Sequence, residues 1–230
     1  MHSDPLRQNA GPLHGIRVLD LSTVVLGPYA TQLLGDYGAD VVKVESLEGD
    51  LMRANGVSRH PGMSSVFLGI NRNKRSIALD LKQARGRELF LELAAQADVV
   101  VHNMRIAAIE RLGLGYDAVR SVNPRVVYCA ATGFGQDGPH RHKPCFDDIV
   151  QAASGLASLV GAEQGQVAYV PALVADKTAA LALANAVLAA LFHRERTGQG
   201  QYVEVPMFEA MVEVNLAEHM GGMAFEPGLG

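Results

Sequence analysis

The chain contains no tryptophan and only two cysteines, Cys129 and Cys145, among 230 residues. The missing tryptophan excludes no function. Two cysteines cannot build a disulfide framework, and they fit a reducing compartment. Charge of one sign is also missing: 20 Lys and Arg stand against 24 Asp and Glu, a formal net charge of −4. That balance does not favour non-specific binding to nucleic acid, and no nucleic-acid partner is expected. There is no long hydrophobic run. The longest, Ala179–Phe192, is too short to span a bilayer and contains Asn185, so it reads as a buried helix and no membrane association is expected. The stretch Met1–Pro12 lacks the apolar centre of a signal peptide, so it reads as a flexible N-terminus of a cytoplasmic protein. No Gly-x-x-x-x-Gly-Lys-Ser/Thr loop is present, which counts against nucleotide hydrolysis. No Gly-x-Gly-x-x-Gly follows the first strand, so a nicotinamide cofactor is not supported. His140-Arg141-His142 with Cys145 comes nearest to a metal cluster. No second cluster supplies the four ligands structural zinc wants, and no metal is expected.

What is present is ordinary in bulk and informative in pattern. With 48% apolar and 19% charged residues the chain is long enough for a full-sized core. Ile16–Leu21 reads as a buried parallel strand. Gly27-Pro28 breaks the pattern, Tyr29–Tyr37 has helical spacing with Gly38 as its stop, and Val41–Val44 is a second strand. A unit this short closes right-handed into a parallel sheet, and ligands in such sheets sit at the carboxyl ends of the strands. The rest alternates similarly. A long polar loop spans Ser46–Ser65, Asn71–Arg75 is a basic turn, and Ser76–Leu81 a strand. Helix Gln83–Gln96, strand Ala97–His102, helix Ile106–Leu112 and strand Arg125–Ala131 follow. Phe146–Leu159 reads as a helix, Val167–Val174 as extended, Asp176–Arg196 as a long helix, Gln201–Pro206 as a strand and Phe208–His219 as a last helix. The fold class is therefore α/β with a largely parallel, Rossmann-like sheet, organised as one domain over residues 13–220 with a Gly-rich end at 221–230.

Several segments occur in an ordered set. They are Gly15–Asp20, Gly27-Pro28, Gly38–Glu45, Gly49-Asp50, Asn73–Ile77 with Leu79-Asp80, Gln151-Ala152 and His193–Gly200. Their order and spacing closely resemble family III CoA-transferases, a group that includes formyl-CoA transferases and 2-methylacyl-CoA racemases. The resemblance implies a Rossmann-like large domain, a smaller domain, and two chains threaded as interlocked rings. Against that pattern the sequence reads as the N-terminal part, ending before the small domain. Dimer formation, or pairing with a companion chain that supplies the rest, is the corresponding expectation.

The resemblance also implies a reaction and its residues. CoA would move from an acyl-CoA donor to a carboxylic acid acceptor, through an enzyme-bound anhydride and an enzyme–CoA thioester. Asp176, in Val174-Ala-Asp-Lys-Thr178, takes the place of the nucleophile. Read locally, the same aspartate is a plain helix N-cap, and the two roles are compatible. A racemase would need a histidine just before the helix beginning at Phe146, and the matching position is Phe146 itself, which carries no proton. The third possibility is a non-catalytic fragment that binds CoA weakly or only pairs with another chain. For CoA, the resemblance assigns Val24, Val25 and Leu26 after the first strand, with Val25 where several transferases carry glutamine. Leu79, Lys82, Asn103, Met104, Ala108 and Arg111 fall on further contact positions. Lys74 and Arg75 could serve phosphate, as could Lys143 in the loop before Phe146. Read without the family, Lys82 is a solvated lysine, Arg111 a surface arginine, Asn103 a turn residue and Met104 core filler.

Overall fold

The computed structural model describes residues 11–229. Residues 1–10 of the N-terminal stretch lie outside the described part. Gly11–Leu13 are anchored: the Leu13 N–H donates to Tyr37 O at 2.9 Å, and a side chain on Gly11 would fall 2.2 Å from the same oxygen. The chain divides into two compact units. One runs to Ala131 and resumes over Leu183–Glu204, and the other is Thr132–Ala182 with the chain from Val205 onward.

The first unit begins with β1 (Arg17–Asp20), α1 (Leu26–Asp36), β2 (Asp40–Glu45) and α2 (Ser65–Ile70). It continues with β3 (Lys74–Ala78), α3 (Ala84–Ala94), β4 (Val99–His102), α4 (Ile106–Arg111), α5 (Tyr116–Val122) and β5 (Val127–Thr132). With β6 (Gln201–Pro206) the strands form one sheet in the order β3-β2-β1-β4-β5-β6. Val18 of β1 faces Val41 of β2 on one side and Val99 of β4 on the other, both parallel. Every residue of β4 and β5 is buried, which is why both read as unbroken apolar runs. β3 lies at the edge and is mostly exposed, so it tolerates Lys74 and Arg75. Leu19, Val44, Phe90, Val100, Ile109 and Tyr128 belong to one core cluster. The strand order reverses between β1 and β4, so the crevice outside their carboxyl ends is where such a sheet holds a ligand.

Two local departures from the sequence reading have physical causes. α1 starts at Leu26 rather than Tyr29, because Pro28 sits in its first turn, where no N–H is needed. Gly27 is required there, since a Cβ would meet the Ser22 Cβ at 2.2 Å. The expected stop at Gly38 is present. Gly38 adopts φ 100°, and the N–H groups of Gly38 and Ala39 close onto Gly35 O and Leu34 O at 3.0 and 3.1 Å. α2 fills the short apolar gap between the polar loop and the basic turn, where no element was expected; it is six residues long, and Ser64 caps it by accepting the Phe67 N–H at 3.0 Å.

In the second unit, α6 (Asp147–Ala153) and α7 (Leu156–Gly161) replace the single helix expected over Phe146–Leu159. They part at Gly155, whose φ is 87°. α9 (Met207–His219) packs beside α6, and Asn215 donates to Ser154 O at 3.0 Å. α8 (Val174–Thr197) runs through both units and begins two residues before Asp176. By length and composition alone it could cross a membrane. However, Ala175, Ala179, Leu183, Val187, Ala190 and Arg194 form a stripe buried in protein at helical spacing.

Candidate active site

The loop leaving β1 is built from a backbone held at consecutive residues. Asp20 accepts the Ser22 N–H at 2.9 Å, and Lys43 donates to Ser22 O at 2.7 Å. Thr23 is gripped on both sides by Asn103, which accepts its N–H at 2.9 Å and donates to its carbonyl at 2.7 Å. The Val24 N–H points at Asp50 Oδ1, 3.4 Å away, and Val24 itself has φ 69°. A β-branched residue in the left-handed region is strained, and such strain persists only where its surroundings enforce it. Asn103 follows β4, so its two bonds join the loops on either side of the switch point.

Beneath this loop lies a buried set of paired charges. Lys43, 1% exposed, meets Asp50 at 2.8 Å, and Lys74, 2% exposed, meets Asp20 at 2.9 Å. Burial alone would raise the Asp20 carboxyl. Lys74, Lys43 and the Ser22 hydroxyl outweigh it and hold the group down at about 2. Glu45, at the end of β2, grips Arg53 at 2.6 and 2.7 Å, takes the Asp50 N–H at 2.8 Å and accepts the Ser76 hydroxyl. Burial is again opposed, first by Arg53 and then by Ser76 and the Asp50 N–H, leaving Glu45 at about 2. The Asp20, Lys43, Glu45 and Asp50 positions were visible as family motifs, but no role was read for them. The available signal was a charge inside an otherwise apolar strand, as in Val41-Val-Lys-Val-Glu45.

In the second unit, Asp176 is the third residue of α8 and is half-buried. It is not the N-cap expected from the sequence, because Leu173 to Ala175 already bring the helix in ahead of it. Its N–H donates to Asp147 Oδ2 at 2.9 Å. The other Asp147 oxygen accepts Gln151 Nε2 at 2.6 Å, and Gln151 Oε1 accepts the Val170 N–H at 2.9 Å. The segment 167–174, expected to be extended, forms no strand and its last residue already belongs to α8; Gln151 serves its backbone where a sheet neighbour would. Cys145 lies against Gly133, where any Cβ would come within 2.2 Å of the Cys145 Cβ. Burial, followed by Asp176, Glu209 and Asp148, pushes its thiol up to about 12. It stays protonated near neutrality, which makes it a poor nucleophile there. Glu209 also accepts the Gly135 N–H at 2.9 Å, fixing the Gly133–Gly135 turn.

The model of CoA-transferase family III matches residues 13–227. The chain belongs to CoA-transferase family III. A succinyl-CoA:mesaconate CoA-transferase of Haloarcula hispanica is 43% identical over 212 residues, covering 89% of this chain and 54% of that protein. The beta subunit of a succinyl-CoA–L-malate CoA-transferase from Chloroflexus aurantiacus is 41% identical over 202 residues, 87% of this chain and 50% of its own length. A CAIB/BAIF family protein from Brucella suis superposes with a TM-score of 0.88 at 34% identity, over 95% of this chain and 59% of that one. The chain thus spans about half the length of the curated relatives it matches.

Within this family III chain, the residues assigned to CoA by resemblance fall into distinct settings. Asn103 holds Thr23, the residue before Val24, at the switch point; Val25 and Leu26 are buried, and Met104 packs onto the core cluster. Ala108 is half-buried and Arg111 exposed, both on α4. Lys82 is exposed beyond β3. Leu79 is a core residue at 7% exposure. Lys74 is a correction: its three hydrogens are taken by Asp20, Pro28 O and Asn71 at 2.8–2.9 Å, so as placed it cannot also hold a phosphate. Arg75 is another. It is committed to Asp40 at 2.7 and 2.8 Å, and Asp40 starts β2, at the opposite end of the strand from the carboxyl-end crevice. In the second unit Lys143 is exposed, and Phe146, 64% exposed, precedes α6. A cavity of about 220 Å³ in the first unit is lined by His102, Ile109, Glu110 and Tyr128 among others, and by none of these CoA positions.

Proposed function

We propose that this protein transfers CoA between an acyl-CoA donor and a carboxylic acid acceptor, with Asp176 as nucleophile. The observation that carries the reading is the placement of a half-buried aspartate in the first turn of α8, its backbone tied to Asp147, in a chain of family III. The first turn favours an anion by about 0.3–1 kcal/mol, so Asp176 can attack as carboxylate. Its oxygen bonds to the thioester carbon as the C–S bond breaks, giving a mixed anhydride and CoA thiolate. The thiolate attacks the Asp176 carbonyl, the anhydride C–O bond breaks, and the donor acid leaves. The acceptor carboxylate then attacks this enzyme thioester, releasing thiolate to capture the acceptor acyl group and regenerate Asp176. Covalent steps on Asp176 split one difficult exchange between acyl-CoA and acid into easier ones.

Relatives named for succinyl-CoA support a dicarboxylic donor and acceptor. CoA would lie along the crevice at β1 and β4 of the first unit, with Val24–Leu26, Asn103, Met104 and Ala108 beside it and Lys82 and Arg111 supplying positive charge to its phosphates. The reaction needs no metal and no nicotinamide. The same reading has the protein working in the cytoplasm, paired with a second copy or a companion chain. Proton exchange α to a thioester would need a titratable side chain where Phe146 stands. The test incubates the protein with succinyl-CoA and a panel of dicarboxylic acids, and separately with a 2-methylacyl-CoA in deuterium oxide. New acyl-CoA in the first mixture and no α-deuterium in the second supports transfer. Deuterium uptake without exchange of CoA would replace it with racemisation.

A further inference from the structure

Resting on Asp176 as nucleophile, we infer that Asp147 and Gln151 are its positioning residues, forming a clamp from α6 that fixes the entry into α8. The N–H groups of a helix's first turn have no partner within the helix. The carbonyl that would serve Asp176 one turn back, Ala172 O, already accepts the Val174 N–H at 2.8 Å and Gln151 Nε2 at 3.2 Å. Asp147, 5% exposed, supplies the missing acceptor with one oxygen. Its other oxygen engages Gln151, four residues along the same helix, and Gln151 reaches the N–H of Val170 at 2.9 Å and its carbonyl at 3.4 Å. Two neighbouring side chains of one short helix therefore hold residues 170, 172 and 176. No regular strand does so, and the approach is otherwise irregular backbone.

The chemistry gives the clamp a second effect. A carboxylate that collects several backbone N–H bonds is stabilised and becomes a poorer nucleophile. Asp147 occupies the N–H of residue 176 itself, so that N–H cannot quench the Asp176 carboxylate. Both Asp147 oxygens accept, so asparagine can satisfy the 176 N–H or Gln151 but not both. Cys145, Asp148 and Glu209 share this neighbourhood and Lys177 follows directly, while the 176 N–H itself goes to Asp147.

The experiment follows the single-turnover rate of hydroxylamine-trapped adduct from succinyl-CoA, its concentration dependence, and amide hydrogen exchange at residue 176. It compares wild type, Asp176→Asn, Asp147→Ala, Asp147→Asn and Gln151→Leu. Asp147→Ala and Gln151→Leu should lower the limiting rate ~10–100-fold, the scale of a misplaced reacting group. Half-saturation should stay within about three-fold, and exchange at residue 176 should accelerate. Asp147→Asn, which keeps one acceptor, should recover part of the rate. A limiting rate within about two-fold of wild type, with exchange at 176 already accelerated, overturns the clamp. If Asp147→Ala does not fold, Asp147→Asn and Gln151→Leu decide. An adduct that needs Asp176 but ignores Asp147 and Gln151 overturns this inference alone. An adduct surviving in Asp176→Asn, or none on wild type, overturns the nucleophile assignment instead.

Discussion

The two regions that carry chemistry handle charge in opposite ways. Under the β1 loop, Asp20, Lys43, Glu45, Asp50, Arg53 and Lys74 are paired cation to anion at 2.6–2.9 Å. Around Cys145, the carboxylates of Asp176, Glu209 and Asp148 accumulate, and they add to burial in pushing the thiol up. A balanced buried network fixes a shape: breaking one partner leaves a lone charge in the interior. In the transfer proposed above, converting Asp176 to a neutral anhydride or thioester would relieve repulsion within such an acidic group. On that proposal the first region is scaffold for a ligand and the second the reacting centre.

The comparison breaks hardest at Asp176. Asp176→Asn should lower CoA exchange by ~10³-fold or more while melting within a few degrees of wild type, measured by product formation and calorimetry. A comparable loss of activity from a scaffold residue without loss of stability would dissolve the division. Next in size, Lys74→Met leaves Asp20 buried without its direct ion pair, and denaturant unfolding should show a loss of ~3 kcal/mol. Acid sharpens the same point. The Asp20 and Glu45 carboxyls sit at about 2, below their ordinary values of 3.8 and 4.5. Their stabilisation is present above the ordinary carboxylate range and is lost as pH falls from ~4 through ~2, with Asp20 contributing about 2 kcal/mol. Unfolding curves at stepped pH should show that loss in wild type, and a smaller one in Lys74→Met. Asn103→Ala removes two bonds to Thr23 and should cost ~1–2 kcal/mol of stability while weakening CoA in calorimetric titration. The smallest effect belongs to Val24→Gly. Relief of the left-handed strain offsets the added chain entropy, so stability should stay within about 1 kcal/mol.

The strands of the sheet were legible because β4 and β5 are unbroken buried runs and β1 and β2 are apolar but for single charges, and Gly38 announced its own turn. β3 was read two residues late because an edge strand carrying Lys74 and Arg75 looks like a polar turn. The helix at Phe146 was read through Gly155, whose positive φ no periodicity reveals. Asp176 could be singled out by family pattern, but its setting could not. Its partner Asp147 lies 29 residues away, and nothing local links the two. Lys74 and Arg75 illustrate the opposite error. A basic residue in sequence suggests phosphate, and only the fold shows that Asp20 and Asp40 have already claimed them.

The most direct test is intact-protein and peptide mass spectrometry after incubation with succinyl-CoA and quenching with hydroxylamine. The account predicts a hydroxamate on the peptide containing Asp176, absent from Asp176→Asn. A hydroxamate on any other carboxylate, or an unmodified but folded wild-type protein, would contradict it.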